Sequence, residues 1–152
     1  MIAHPPCTYL SNAGNMHLKQ PGRKEKRKEA FNFFMMLYNA PIDKICVENP
    51  VGCVNSYFRK PDQIIHPYYF GEPHLKRTCL WLKNLPKLDY SKTIIEKPAP
   101  LSIGKKGKSI GKCYYYVDSL IYCKDPVERS RLRSKTFQSI ANAMVDQWGI
   151  LI

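Results

Sequence analysis

The alternation of apolar and polar stretches along the chain predicts a short series of strands and helices. Met1-Ile2-Ala3 reads as the last residues of a strand, and the His4-Pro5-Pro6-Cys7 turn follows at once. Strands usually run about five or six residues, so this one is expected to be a stub or the second half of a longer strand. Residues 8 to 22, with Asn12, Gly14, Asn15, Pro21 and Gly22, read as a polar loop. A helix is expected from about Lys24 to Asn39. Phe31, Phe34, Met35 and Tyr38 fall on one stripe of it, and the charge run Arg23 to Glu29 reads as a solvated face.

Pro41 stops that helix. Lys44 to Val47 then predicts a short buried strand ending at Glu48-Asn49-Pro50, and Cys79 to Leu82 a second one after Gly71-Glu72-Pro73. Residues 83 to about 112 are rich in proline and glycine and lack periodicity. A last helix is expected from about Lys135 to Trp148, with Phe137, Ile140, Ala141, Met144 and Trp148 as its stripe, Ser134 as N-cap and Gly149 as the stop. Helices between strands, with polar residues just beyond the strand ends, give an α/β fold class. In such sheets ligands bind outside the carboxyl ends of the strands, where Cys7 and Glu48 both fall. No internal repeat is present.

Length and composition narrow the function classes. A chain of 152 residues is expected to form a single domain, and 44% apolar with 24% charged residues is globular rather than disordered. The net charge of +12 points to a polyanionic partner, nucleic acid first; a solvated basic surface without a specific partner is the plainer reading. None of the six cysteines forms a C-x-x-C pair, and His4, His17, His66 and His74 lack ligand spacing, so no metal site is assigned. No secretory leader is evident and the apolar runs are far too short to span a bilayer. The expectation is therefore a reduced, cytoplasmic protein with no membrane partner.

Two residues carry candidate chemistry. Cys7 follows two prolines, which fix the backbone and hold the thiol on a rigid turn, as a nucleophile requires; most cysteines, by contrast, are inert packing residues. Glu48 ends a buried strand, where desolvation disfavours the charged carboxylate and suits it to donating a proton or hydrogen bond. A Glu that caps a helix or pairs with a surface lysine is the plainer alternative.

Pro5-Pro6-Cys7, followed about forty residues later by Glu48-Asn49-Pro50, resembles the catalytic core of cytosine-5 DNA methyltransferases, with their Pro-Cys and Glu-Asn motifs at successive strand ends. Phe70-Gly71-Glu72-Pro73-His74-Leu75-Lys76-Arg77-Thr78 looks like a variant of the family's next landmark. Ile140-Ala141-Asn142-Ala143-Met144 is similar to its last motif, and Ala3 to Ser11 looks like phage-borne members. The resemblance covers roughly residues 1 to 82 and 130 to 149.

The resemblance implies a partial Rossmann-like methyltransferase sheet with flanking helices. Residues 1 to 82 would form the catalytic half, 83 to 133 a basic, loop-rich, DNA-contacting insertion, and 134 to 149 a terminal helix packing back on the core. It implies that Cys7 attacks C6 of a flipped-out cytosine in duplex DNA while Glu48 protonates N3, and that the methyl group comes from S-adenosylmethionine. Pro6, Asn49, Lys76 and Arg77 would hold the base or phosphate, and Asn142 and Ala143 would lie against the cofactor pocket. Lys105, Lys106, Lys108, Arg131 and Arg133 would contact phosphates. Tyr114 to Tyr116 would either stack on bases or form an ordinary strand with alternate rings buried.

The sequence departs from the family pattern in several places. His74 replaces Gln, Lys76 and Thr78 replace Arg, Pro50 replaces Val, and no glycine-rich cofactor loop precedes Cys7. A second chain or further segment is therefore expected to supply the cofactor-binding half. The alternatives are a non-catalytic DNA-binding remnant of the same fold, or another cysteine chemistry on a pyrimidine, such as hydroxymethylation.

Overall fold

The computed structural model describes residues 1–98, 102–103, 109–110 and 123–151. Lys105, Lys106, Lys108 and Tyr114 to Tyr116 lie outside them. The described chain is a mixed α/β structure that divides into two compact units, Met1–Ile65 with Arg77–Lys87, and His66–Lys76 with Leu88 onward.

The first unit holds a four-stranded sheet of β1 (Ile2–Ala3), β2 (Ile45–Pro50), β3 (Gln63–Ile65) and β4 (Thr78–Lys83), in the order β1-β2-β4-β3. β1 and β2 are parallel, with Ile2 opposite Cys46 and Ala3 opposite Val47. Parallel neighbours need a crossover, and the helix α1 (Arg23–Tyr38) lies in the connection between them. β4 runs antiparallel to both β2 and β3. β2 continues through Glu48, which pairs with Leu80, to Pro50, opposite Thr78. Glu48 therefore sits inside the strand rather than beyond its end: the ladder with β4 keeps residues 48 to 50 extended after the apolar run has finished.

The sheet core gathers Leu10, Phe34, Ile45, Val47, Val54, Cys79 and Trp81. Phe34, at the centre of the helix stripe, meets Trp81 edge-on with ring centroids 5.1 Å apart, and the indole Nε1 donates to the Arg59 carbonyl at 3.0 Å. The polar loop of residues 8 to 22 is anchored from within, because Leu10 is fully buried and Asn12–His17 form a 3-10 turn. Gly22 enters α1 with φ of 73°, a conformation that costs a β-carbon-bearing residue.

The charge run at the start of α1 is not uniformly solvated. Arg27 is only 6% exposed. Its Nε donates to the Tyr9 carbonyl at 2.8 Å and its Nη2 to Asn15 Oδ1 at 2.7 Å. A buried guanidinium needs such partners, and here they tie the loop carrying residues 8 to 15 to the helix.

Asp62 fixes the far edge of the sheet. Its Oδ2 accepts from Arg59 Nη2 and from the Leu82 amide, both at 2.7 Å. Burial pushes the carboxyl up, but these hydrogen bonds and the Arg59 charge outweigh it and hold the group below the ordinary carboxylate range. A depressed folded-state value means stabilisation that is present above the unfolded-state pKa of about 3.9 and is lost as pH falls through the folded-state value. Asp62→Asn is expected to cost about 1–2 kcal/mol near neutral pH, and the difference from wild type should shrink below about pH 4. Denaturant unfolding of both proteins at neutral and acidic pH checks this; a gap that persists unchanged in acid would contradict it.

In the second unit, the terminal helix begins at Gln138, three residues later than expected, and a separate helix precedes it. Helix α3 (Pro126–Ser134) opens on Asp125, whose Oδ1 accepts from the Val127 amide at 2.9 Å. Ser134 is its last residue and not the N-cap of the next helix, because Lys135 turns extended, with ψ of 134°. Helix α4 (Gln138–Trp148) follows and buries Ile140, Met144 and Trp148, with Phe137 buried just ahead of it. Phe137 offers no side-chain cap; instead Glu72 Oε1 accepts from the Ser139 amide at 2.8 Å. A carboxylate there satisfies a free amide and complements the helix dipole. Ser102–Ile103 and Ser109–Ile110 pair as a two-stranded antiparallel ribbon. Among the described residues no helix is long and apolar enough to cross a membrane.

Candidate active site

Because β1 and β2 are parallel neighbours, the turn that follows β1 runs beside the last residues of β2, which carry the second motif. Ala3 pairs with Val47, so His4-Pro5 lies beside Glu48-Asn49. Two side-chain contacts lock the juxtaposition. His4 Nδ1 lies 2.8 Å from Glu48 Oε2, and Asn49 Nδ2 donates to the Pro5 carbonyl at 2.9 Å. Asn49, 1% exposed, is thus a buried cross-brace between the two strand ends. It acts on the backbone of the double proline.

Beyond the strands the two loops are also joined. The Cys7 carbonyl accepts from the amides of Leu10 and Ser11 at 3.1 and 2.9 Å, making a tight turn around the cysteine. The loop then pairs with the segment after β2: the Asn12 amide donates to Val51 at 3.1 Å, and the Cys53 amide to Leu10 at 2.8 Å. Ser11 and Gly52 form an antiparallel bridge. The approach is so close that a β-carbon on Gly52 would overlap the Leu10 carbonyl oxygen and lie 2.8 Å from its carbon.

This framework leaves Cys7 and Pro6 exposed and Pro5 buried. The Glu48 side chain is 18% exposed and that of His4 is 41%. The thiols behind the site differ. Burial, reinforced by the Glu48 charge, pushes Cys46 up to about 12 and Cys79 up to about 11, and burial also raises Cys53. Thiolate is the reactive form, so these three are packing residues. Brief treatment of the folded protein with iodoacetamide is expected to label Cys7 and spare Cys46, Cys53 and Cys79, as read by peptide mass spectrometry. Labelling of the three buried thiols at the same rate would contradict the burial described.

The remaining candidates are distributed over both units. Arg77 is exposed in the first unit, just before β4. Lys76 belongs to the second, where its Nζ donates to the Lys135 carbonyl at 3.3 Å and stands 5.6 Å from the centre of the Phe137 ring. His74 flanks the same ring at 5.3 Å. Asn142 is exposed on α4 and its Oδ1 accepts from Gln138 Nε2 at 2.7 Å, while Ala143 is half-buried. The Arg131 guanidinium makes a two-pronged contact with the Glu128 carboxylate, both bonds 2.7 Å, which reduces its availability to a phosphate. Arg133 is described only as a backbone position in α3.

S-adenosylmethionine would require a roomy turn between a strand and a helix. Among the described residues Gly52 occupies such a position, between β2 and the short helix α2 (Val54–Tyr57). Its open side is filled by the Leu10 backbone. The turn at Gly52 therefore leaves no room for that cofactor. No group of three or more potential metal ligands occurs among them either.

The sequence reading missed three contributors. In the sequence His4 lacks metal-ligand spacing, Arg27 reads as part of a solvated face, and nothing local marks Gly52. A histidine directly after one parallel strand and a glutamate near the end of its neighbour was the available signal for His4. No protein-family model matches the chain, and no curated protein matches it.

Proposed function

We propose that this chain is the base-activating half of a DNA cytosine-5 methyltransferase-like protein, with the methyl donor held by a second chain or a further segment. The observation that carries the reading is the locked juxtaposition of the turn after β1, His-Pro-Pro-Cys, and Glu48-Asn49 within the adjacent parallel strand β2. The β1–α1–β2 crossover is compatible with half of a Rossmann-like sheet, and the charge of +12 favours duplex DNA as partner in a cytoplasmic setting.

A cytosine must leave the stack before its ring is open to attack. Cys7 Sγ, as thiolate, forms a bond to C6. As that bond forms, the C5–C6 π pair shifts into the C4–C5 bond and the C4–N3 π pair moves onto N3, which takes the Glu48 proton, and the resulting enamine is electron-rich at C5. The loop pinned by Asn49, Gly52 and Leu10 holds the thiol still during addition, which lowers the ordering cost. S-adenosylmethionine, held by the second chain or further segment, would supply the methyl group.

DNA carrying 5-azacytosine tests the reading without the donor. A ring nitrogen replaces C5–H and makes C6 more electrophilic, so thiolate addition at C6 is completed by the Glu48 proton on N3 and needs no methyl donor. The wild-type chain is expected to form an adduct at Cys7, located by mass spectrometry, and Cys7→Ser to form none. The filled space beside Gly52 favours a second reading, a DNA-binding remnant without chemistry. DNA binding with no adduct from the wild type would select that reading.

A further inference from the structure

The contact between His4 and Glu48 has no role in the sequence resemblance, yet it is the one side-chain hydrogen bond described for the Glu48 carboxylate. The geometry points to His4 as the positioning residue for Glu48: an Nδ1–H donor that fixes one carboxyl oxygen so that the other delivers the proton. This inference rests on the base-activation reading and deepens it.

The chemistry favours this division of labour. A protonated carboxyl has one hydroxyl and one carbonyl oxygen. With Nδ1 protonated, His4 donates to Oε2 at 2.8 Å. Oε2 is then the acceptor, and the transferable proton resides on Oε1. When the Oε1–H bond breaks and N3–H forms, the electron pair stays on the carboxylate. The hydrogen bond from His4 then becomes charge-assisted and strengthens. An interaction that grows along the reaction lowers the barrier, and does not merely tighten binding. His4 is well placed for this because it follows β1 directly, and Ala3 is registered against Val47, one residue before Glu48. The buried Asn49–Pro5 bond holds the next residue pair, so the imidazole's backbone is fixed independently of its ring.

The test is the rate of adduct formation with 5-azacytosine DNA across a double-mutant cycle. His4→Ala is expected to lower the maximal rate on the order of 10- to 100-fold and leave the half-saturating DNA concentration unchanged. His4→Gln, which keeps an N–H donor of similar reach, should recover part of the rate. In a Glu48→Gln background His4→Ala should slow the reaction no further, because a residue acting through Glu48 has nothing left to act on.

A His4→Ala protein as fast as wild type overturns the assignment, as does an additional loss in the Glu48→Gln background, which would mean that His4 acts on its own. A change in DNA affinity alone, or equal rates for His4→Gln and His4→Ala, also overturns it. No adduct from the wild type removes the base-activation reading itself, and this inference with it.

Discussion

Gly52→Ala is expected to destabilise the protein by about 4 kcal/mol or more, beyond the range of ordinary point substitutions. The side chain added is one methyl group, but it has nowhere to go. Its β-carbon would coincide with the Leu10 carbonyl, a backbone atom that cannot rotate away. Relief requires the two loops to part, which breaks the Cys53–Leu10 and Asn12–Val51 hydrogen bonds and draws the fully buried Leu10 out of the core. The same movement shifts the turn that carries Cys7, so adduct formation should fall along with stability. Guanidinium unfolding followed by circular dichroism measures the first effect. A loss below about 1 kcal/mol would mean that the loops separate easily and that the site is not preorganised as described.

Glu48→Gln should have the largest effect on chemistry with little effect on fold. General acid catalysis by a positioned carboxyl contributes roughly 10²–10⁴-fold, and the amide cannot supply that proton. The amide keeps the shape, and its carbonyl oxygen still accepts from His4, so the contact between the strand ends survives. The expected result is a rate of 5-azacytosine adduct formation lowered by roughly 10²–10⁴-fold, with the unfolding midpoint and DNA affinity close to wild type. An unchanged rate would remove Glu48 from the mechanism and leave it a structural partner of His4. A large loss of stability would show that its charge serves the fold rather than the base.

Both predictions depend on two loops held together at neighbouring strand ends, and these loops also mark where sequence reading succeeds and fails. The helical stripe of Phe31, Phe34, Met35 and Tyr38 was legible because a 3.6-residue period follows from local geometry alone. The buried face of α4 was legible for the same reason. The end of β2 was not: residues 48 to 50 stay extended because β4 pairs with them, and β4 lies some thirty residues further on. Nor was the start of α4 at Gln138, since the carboxylate that caps it is Glu72, distant in sequence.

The sequence by itself determined α1, the apolar stretches of β2 and β4, the buried face of α4, the double-proline turn at Cys7, and the polar pair Glu48-Asn49 following an apolar run. These are properties of consecutive residues, set by proline geometry, side-chain period and hydrophobicity. Tertiary structure decided which residues become neighbours: His4 against Glu48, Asn49 against Pro5, Gly52 under Leu10, Arg27 beneath Tyr9. Such contacts join residues 18 to 44 positions apart. The contacts between the first and second motifs form because β1 and β2 pair in one parallel register, and no local pattern encodes that choice.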